Sequence, residues 1–157
     1  MSPDQLAVNG TEAGHQTALF CWAALNMERF PELRWLHHIP NGGSRGSNKR
    51  HAQIVGGQLK AQGVKSGVSD ICLPVKRGVW SGLYIELKKL SEKPVKAASR
   101  GGVSDDQREF GLFVQSQGFG FAVCYGWNEA AQTIESYLAR GQHASHEPSN
   151  AKGRATG

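Results

Sequence analysis

Asp70-Ile71-Cys72-Leu73-Pro74-Val75 and Leu83-Tyr84-Ile85-Glu86-Leu87-Lys88 are two short apolar runs, and Lys76-Arg77-Gly78-Val79-Trp80-Ser81-Gly82 between them carries turn chemistry at Gly78 and Gly82. That order reads as a β-hairpin. A turn centred on Gly78 sets Asp70 directly opposite Glu86, and directly opposed residues share one face of a sheet. Side chains of a strand alternate with period two, so Lys88 joins Glu86 on that face while Ile85 and Leu87 point into the core. Two carboxylates and an amine converge in this register, and a slip of one residue would separate them.

Working outward, Thr11-Glu12 opens a stretch from Ala18 to Phe30 with apolar residues at helical spacing and Pro31 as a stop, which predicts a helix over 11–29. Arg34 to Ile39 predicts a strand running into the basic glycine-rich loop Asn41-Gly42-Gly43-Ser44-Arg45-Gly46-Ser47. A second helix is expected from Lys49 to Gln62, weakened by Gly56-Gly57 and ended by Gly63. After the hairpin, Ser104-Asp105-Asp106-Gln107 starts a helix that Gly118 closes, 119–125 reads as the last strand, and Asn128 caps a final helix. The order points to an α/β fold with a mixed sheet covered by helices. Residues 1–10 form an N-terminal extension, 11–140 the domain, and 141–157 a polar tail expected to be disordered.

The 157 residues fit one domain, and a chain of this size buries about 68–70% of its unfolded surface. With 39% hydrophobic residues and 20% charged, and without a long uncharged apolar run, it reads as a soluble protein with a real core. Met1-Ser2-Pro3-Asp4-Gln5 resembles neither a secretory signal nor a transit peptide, so a cytoplasmic location is expected. Three well-separated cysteines, Cys21, Cys72 and Cys124, each in an apolar segment, fit buried reduced thiols.

The formal charge of +5 is unevenly placed. Between Arg34 and Ser69 stand six basic residues, Arg34, Arg45, Lys49, Arg50, Lys60 and Lys65, and no acid. Seven more lie between Lys76 and Arg100 against only Glu86 and Glu92. These segments flank Asp70 and Glu86 as a phosphate-gripping surface would, with Arg45, Lys49, Arg50 and Lys65 the first choices for DNA contact. A solvated basic face is the bland reading of the same pattern.

Paired carboxylates beside a lysine suit metal-assisted phosphodiester hydrolysis, with Asp70 and Glu86 as ligands of Mg²⁺ or Mn²⁺ and Lys88 orienting or deprotonating water or offsetting phosphate charge. A bare Glu-x-Lys is more often an exposed strand-end ion pair. His37-His38 and His15 read more readily as surface or hydrogen-bonded histidines than as ligands. Trp80 reads equally as a base-stacking residue or a half-buried turn aromatic.

Gly67-Val68-Ser69-Asp70-Ile71, then Leu83 to Lys88, then Ser104-Asp105-Asp106-Gln107 resemble in order and spacing the VRR-NUC branch of the PD-(D/E)XK nucleases, across roughly residues 11 to 139. One departure is Ser69, where the family usually has proline, a change of backbone stiffness rather than of metal binding. The resemblance implies a restriction-endonuclease-like, mixed four-stranded sheet flanked by helices. It implies metal binding by Asp70, Glu86 and the Leu87 carbonyl, with Lys88 catalytic, and matches Glu12 and Gln107 to two further site residues. Each of these two also has a local explanation: Glu12 sits in the favourable first turn of a helix, and Gln107 completes a capping box with Ser104. The implied activity is structure-specific cleavage of DNA, leaving a 5′-phosphate and 3′-hydroxyl, by a homodimeric phage- or bacterial-type enzyme that resolves four-way junctions. A flap or single-strand nuclease of the same fold and a non-catalytic basic DNA-binding module are the rivals.

Overall fold

The computed structural model describes residues 1–40 and 49–140, the side chains of 49–52 excepted. Among the described residues five α-helices, α1 (Pro3–Ala7), α2 (Glu12–Leu25), α3 (Lys49–Ala61), α4 (Asp105–Ser116) and α5 (Trp127–Ala139), accompany four strands, β1 (His37–His38), β2 (Ile71–Leu73), β3 (Leu83–Lys88) and β4 (Gly120–Tyr125). The strands lie in the order β1-β2-β3-β4, with the first two pairings antiparallel and the last parallel. This is the expected α/β architecture, a mixed four-stranded sheet flanked by helices.

The hairpin register follows from the turn. Ile71 pairs with Ile85, Cys72 with Tyr84 and Leu73 with Leu83, which continues one step out to Asp70 opposite Glu86. Arg77 and Trp80 bond each other through both backbone pairs, 2.9 and 3.0 Å, and close the turn around Gly78. On one face, Ile71, Leu73, Ile85 and Leu87 are buried against Leu19 and Trp22 of α2 and Ile134 and Leu138 of α5. The other face carries Asp70, Cys72, Tyr84, Glu86 and Lys88, beside Phe121, Val123 and Tyr125 of β4. It is covered by α4, whose Phe110 meets the Tyr84 ring edge-on at 5.3 Å.

Several expected elements are shorter, for local reasons. Helix α2 stops at Leu25 rather than 29, because the Asn26 amide and its side-chain Nδ2 both fold back onto the Trp22 carbonyl. Pro31 then starts a 3₁₀ turn through Trp35, which leaves only His37 and His38 of the strand expected from Arg34. Pro74 has no N–H for the ladder, so β2 ends at Leu73. Helix α5 begins at Trp127 after Gly126, not after an Asn128 cap. Inside the expected extension, Ser2 caps α1 in a reciprocal box with Gln5. Cys72 and Cys124 are buried free thiols, but Cys21 is only half-buried. The loop 41–47 with Arg45 and the tail 141–157 lie outside the described residues, as do the side chains of Lys49 and Arg50 at the start of α3.

Arg77 ties the hairpin turn to the rest of the molecule: Nε donates to the Leu138 carbonyl at 3.0 Å, one guanidinium nitrogen to the Lys76 carbonyl at 2.9 Å, and the other to Glu32. Arg77→Ala should therefore lower stability by about 2 kcal/mol, read as a lower urea midpoint at unchanged m-value. An unchanged midpoint would show the clamp to be idle.

Candidate active site

Glu86 is 1% exposed and Lys88 7%, so they are not the exposed strand-end ion pair that a bare Glu-x-Lys suggests. Strand β3 is central, and α4 closes the face on which both lie. Lys88 Nζ stands 2.9 Å from Glu86 Oε1. The same oxygen accepts a hydrogen bond from Gln107 Nε2. The capping box decides how Gln107 is oriented: its Oε1 accepts from the Ser104 amide at 2.9 Å, which leaves the NH₂ group for Glu86. One side chain thus completes the cap and reaches Glu86.

Asp70 is 9% exposed, and its Oδ2 accepts the Leu87 amide at 2.9 Å. Its carbonyl accepts from the Ile39 amide at 2.7 Å and from His38 Nδ1 at 2.9 Å. A carbonyl cannot donate, so that ring nitrogen carries the proton. His38 thus holds the backbone of Asp70, a positioning contact that its exposed place at the end of a strand did not announce. Gly67, three residues before Asp70, has φ +81°, and a side-chain carbon there would lie 2.5 Å from the Asp106 carbonyl carbon. Only glycine lets this segment press against the first turn of α4.

Burial, then the neighbouring Asp70 charge, raises the Glu86 pKa to about 7, against the hydrogen bond and charge of Lys88. Burial pulls the Lys88 pKa down, but the hydrogen bond and charge of Glu86, with the charges of Glu12 and Asp70, outweigh it and hold the ammonium charged. Glu12, half-buried at the first position of α2, has its pKa raised by burial and then by Asp70. The fold therefore brings Glu12, Asp70, Glu86, Lys88 and Gln107 to one place from α2, β2, β3 and α4. Leu87 lends this cluster its backbone while its side chain is fully buried in the core. Lys65 is exposed on the segment leading to Gly67.

Glu86 Oε2 is buried and has no hydrogen-bond partner among the described residues. An orphaned carboxylate oxygen beside a second carboxylate is the donor set of a hard cation that keeps most of its own waters. Among the described residues no group of three or more His, Cys, Asp and Glu stands together to hold a metal ion, so side chains of these types would supply at most two of a cation's ligands here.

The VRR-NUC domain family matches residues 11–128, a span that holds all of these side chains. The chain belongs to the VRR-NUC family. Membership gives it a nuclease-type function with DNA as substrate. A solved structure described as a VRR_NUC domain protein superposes with a TM-score of 0.60 at 24% identity, covering 83% of this chain and 90% of that one, and shows the same fold. No curated protein matches. Among the described residues no helix is long and apolar enough to cross a membrane.

Two buried polar groups lie around the VRR-NUC site, one of them the histidine read as surface or hydrogen-bonded. His15 is 2% exposed, its Nδ1 accepting the Trp127 amide at 3.4 Å and so capping α5, while Nε2 meets no partner among the described residues. Ser69, at the position where proline is usual, is fully buried, and its Oγ has no partner among the described residues. An unpaired buried hydroxyl is costly, so Ser69→Ala should raise the unfolding free energy by about 1 kcal/mol with cleavage unchanged. A loss of stability on denaturant titration would show that Oγ has a partner. Trp80 packs half-buried against the core, the second of its two readings.

Proposed function

We propose that this VRR-NUC domain is a Mg²⁺- or Mn²⁺-dependent endodeoxyribonuclease that hydrolyses phosphodiester bonds in branched DNA, four-way junctions foremost, as a homodimer. The observation that carries the reading is the buried, orphaned Oε2 of Glu86 beside Asp70 and a charged Lys88. Asp70, Glu86 and the Leu87 carbonyl would hold the cation. Once bound, it supplies positive charge that polarises the scissile phosphate and makes water a better nucleophile at neutral pH.

The chain's own groups do the positioning. Gln107 and Lys88 fix one oxygen of Glu86 and leave the other free. The Leu87 amide fixes one oxygen of Asp70. Lys88, held as an ammonium, suits the role of offsetting charge that develops on the phosphate better than that of base. Glu12, whose pKa is raised by burial and then by the Asp70 charge, borders the cluster as a third carboxylate. A two-fold dimer would offer a two-fold-symmetric junction a doubled basic surface.

The test is cleavage of labelled duplex, single-stranded, flap and four-way-junction DNA with Mg²⁺, with Mn²⁺ and with chelator. Metal-dependent cutting strongest on the junction, absent in Asp70→Ala, is the expected result. Preference for flaps or single strands would replace the resolvase reading, and binding without cutting under every metal condition would make the chain a DNA-binding module.

A further inference from the structure

We propose that the segment from Lys89 to Gly102 is the surface that grips the DNA backbone beside the scissile phosphate, with Lys93 and Lys96 as its contacts. The inference rests on the nuclease reading and specifies how that site holds its substrate. Both ends of the segment are anchored at the reactive cluster. It leaves from Lys88, whose carbonyl accepts the Gly126 amide at 2.9 Å. It returns at Ser104, which caps the turn that delivers Gln107 to Glu86. A strand lying on the cluster must therefore run beside it.

The returning end is held a second time, at Gly101. Tyr125, paired with Lys88 across β3 and β4, donates its hydroxyl to the Gly101 carbonyl at 3.1 Å. Gly101 is buried at φ +56°, and a side-chain carbon there would lie 1.9 Å from the tyrosine oxygen, so the tie requires glycine. A segment fixed beforehand loses little entropy when it meets a phosphate.

Its charge is predominantly basic. Lys89, Lys93, Lys96 and Arg100 are exposed. The lone acid, Glu92, is half-buried, turned onto the Lys89 amide at 3.1 Å and packed near Gly102. Lys93, Lys96, Ser91 and Ser99 line an open concavity of about 470 Å³ together with Glu92, whose carboxylate is taken up by the Lys89 amide. Lys93 pairs with Glu129 at 2.9 Å and Arg100 with Asp105 at 2.6 Å, both in solvent, where such pairs are weak enough to be exchanged for a phosphate. Lys96 forms no ion pair among the described residues.

The test is fluorescence anisotropy of labelled duplex and junction DNA in chelator, over a series from about 50 to 200 mM salt. Each phosphate contact removed should flatten the slope of log affinity against log salt by about 0.9, so K93Q/K96Q should flatten it by about 1.8. Lys76→Gln makes one such charge change on the exposed connection at the far end of the hairpin, and should leave the slope as it is. Glu129→Gln frees Lys93 and should tighten binding. An unchanged slope in K93Q/K96Q, an equal flattening per charge in Lys76→Gln, weaker binding in Glu129→Gln, or no binding at all would each overturn the assignment. Because chelator removes cleavage from the readout, a chain that binds through these lysines yet never cuts would refute the nuclease reading and leave this one standing.

Discussion

Cleavage by Glu86→Gln should fall by about 10³-fold or more, while DNA affinity in chelator stays as it was. The substitution preserves volume and can still accept the Lys88 and Gln107 hydrogen bonds, so what it removes is the ionisable charge at Oε2. The same residue fixes a pH dependence of stability. Burial, before any other cause, lifts its pKa from 4.5 to about 7 in the folded protein. The folded state therefore keeps a proton that the unfolded chain has already released between those values. The stability this contributes is complete below about pH 4.5 and is lost as pH rises to about 7, an amount of about 3 kcal/mol.

Glu86→Gln has no such proton to lose but leaves the buried Lys88 ammonium without its nearest counter-charge, so in chelator the variant's melting temperature should change less between pH 5 and pH 8 than the parent's, although it cannot cut. A divalent cation favours the ionised carboxylate, so Mn²⁺ should raise the melting temperature of the parent more near pH 8 than near pH 5, and that of the variant hardly at all. Thermal unfolding of both proteins across pH, with metal and with chelator, checks the three statements together. Retained cleavage, or a difference between the two proteins that does not change with pH, would remove Glu86 from the site. Asp70→Ala should be equally inactive and, by stranding the Leu87 amide, about 1–2 kcal/mol less stable.

The register that gathers these groups was legible because it depends on local chemistry. A glycine-centred turn and period-two alternation suffice to set Asp70 opposite Glu86 and to send Ile85 and Leu87 the other way. The Ser104 cap was legible for the same reason, since it is built within four residues. What the sequence could not supply was depth. Alternation says which face Glu86 and Lys88 share, but not that α4 covers it, and covering turns a surface ion pair into a buried one. Nor could spacing place Glu12 of α2 beside Asp70, because no local signal records where two distant elements meet. The strand expected from Arg34 failed where a local rule was underweighted: Pro31 favours a 3₁₀ turn, and the turn buries Leu33 and Leu36 without needing a ladder. Ser69 was hidden for a further reason, since a polar residue gives no sign in one sequence that it will be buried unpaired.

Lys88→Met tests the cation that lies inside this cluster among the described residues. Its ammonium is the counter-charge of Glu86 at 2.9 Å and interacts with Asp70 and Glu12 as well. Breaking a buried pair from one side generally costs about 3–5 kcal/mol. The loss should fall at or below the low end of that range, because Glu86 already titrates near 7 and can take up a proton once its partner is gone. Uptake of that proton makes the loss of stability larger near pH 8 than near pH 5, the same sign as for Glu86 itself. Turnover should drop by about 10²–10⁴-fold if Lys88 stabilises charge on the phosphate or moves a proton there. The metal requirement separates that role from a merely structural one. Deleting a cation beside two carboxylates leaves them more attractive to Mn²⁺, so the Mn²⁺ midpoint for cleavage should stay put or fall while the plateau rate collapses. A midpoint that rises with the plateau kept would mean that Lys88 organises the carboxylates and takes no part in the chemistry, and an unchanged plateau and midpoint would leave it no role at all.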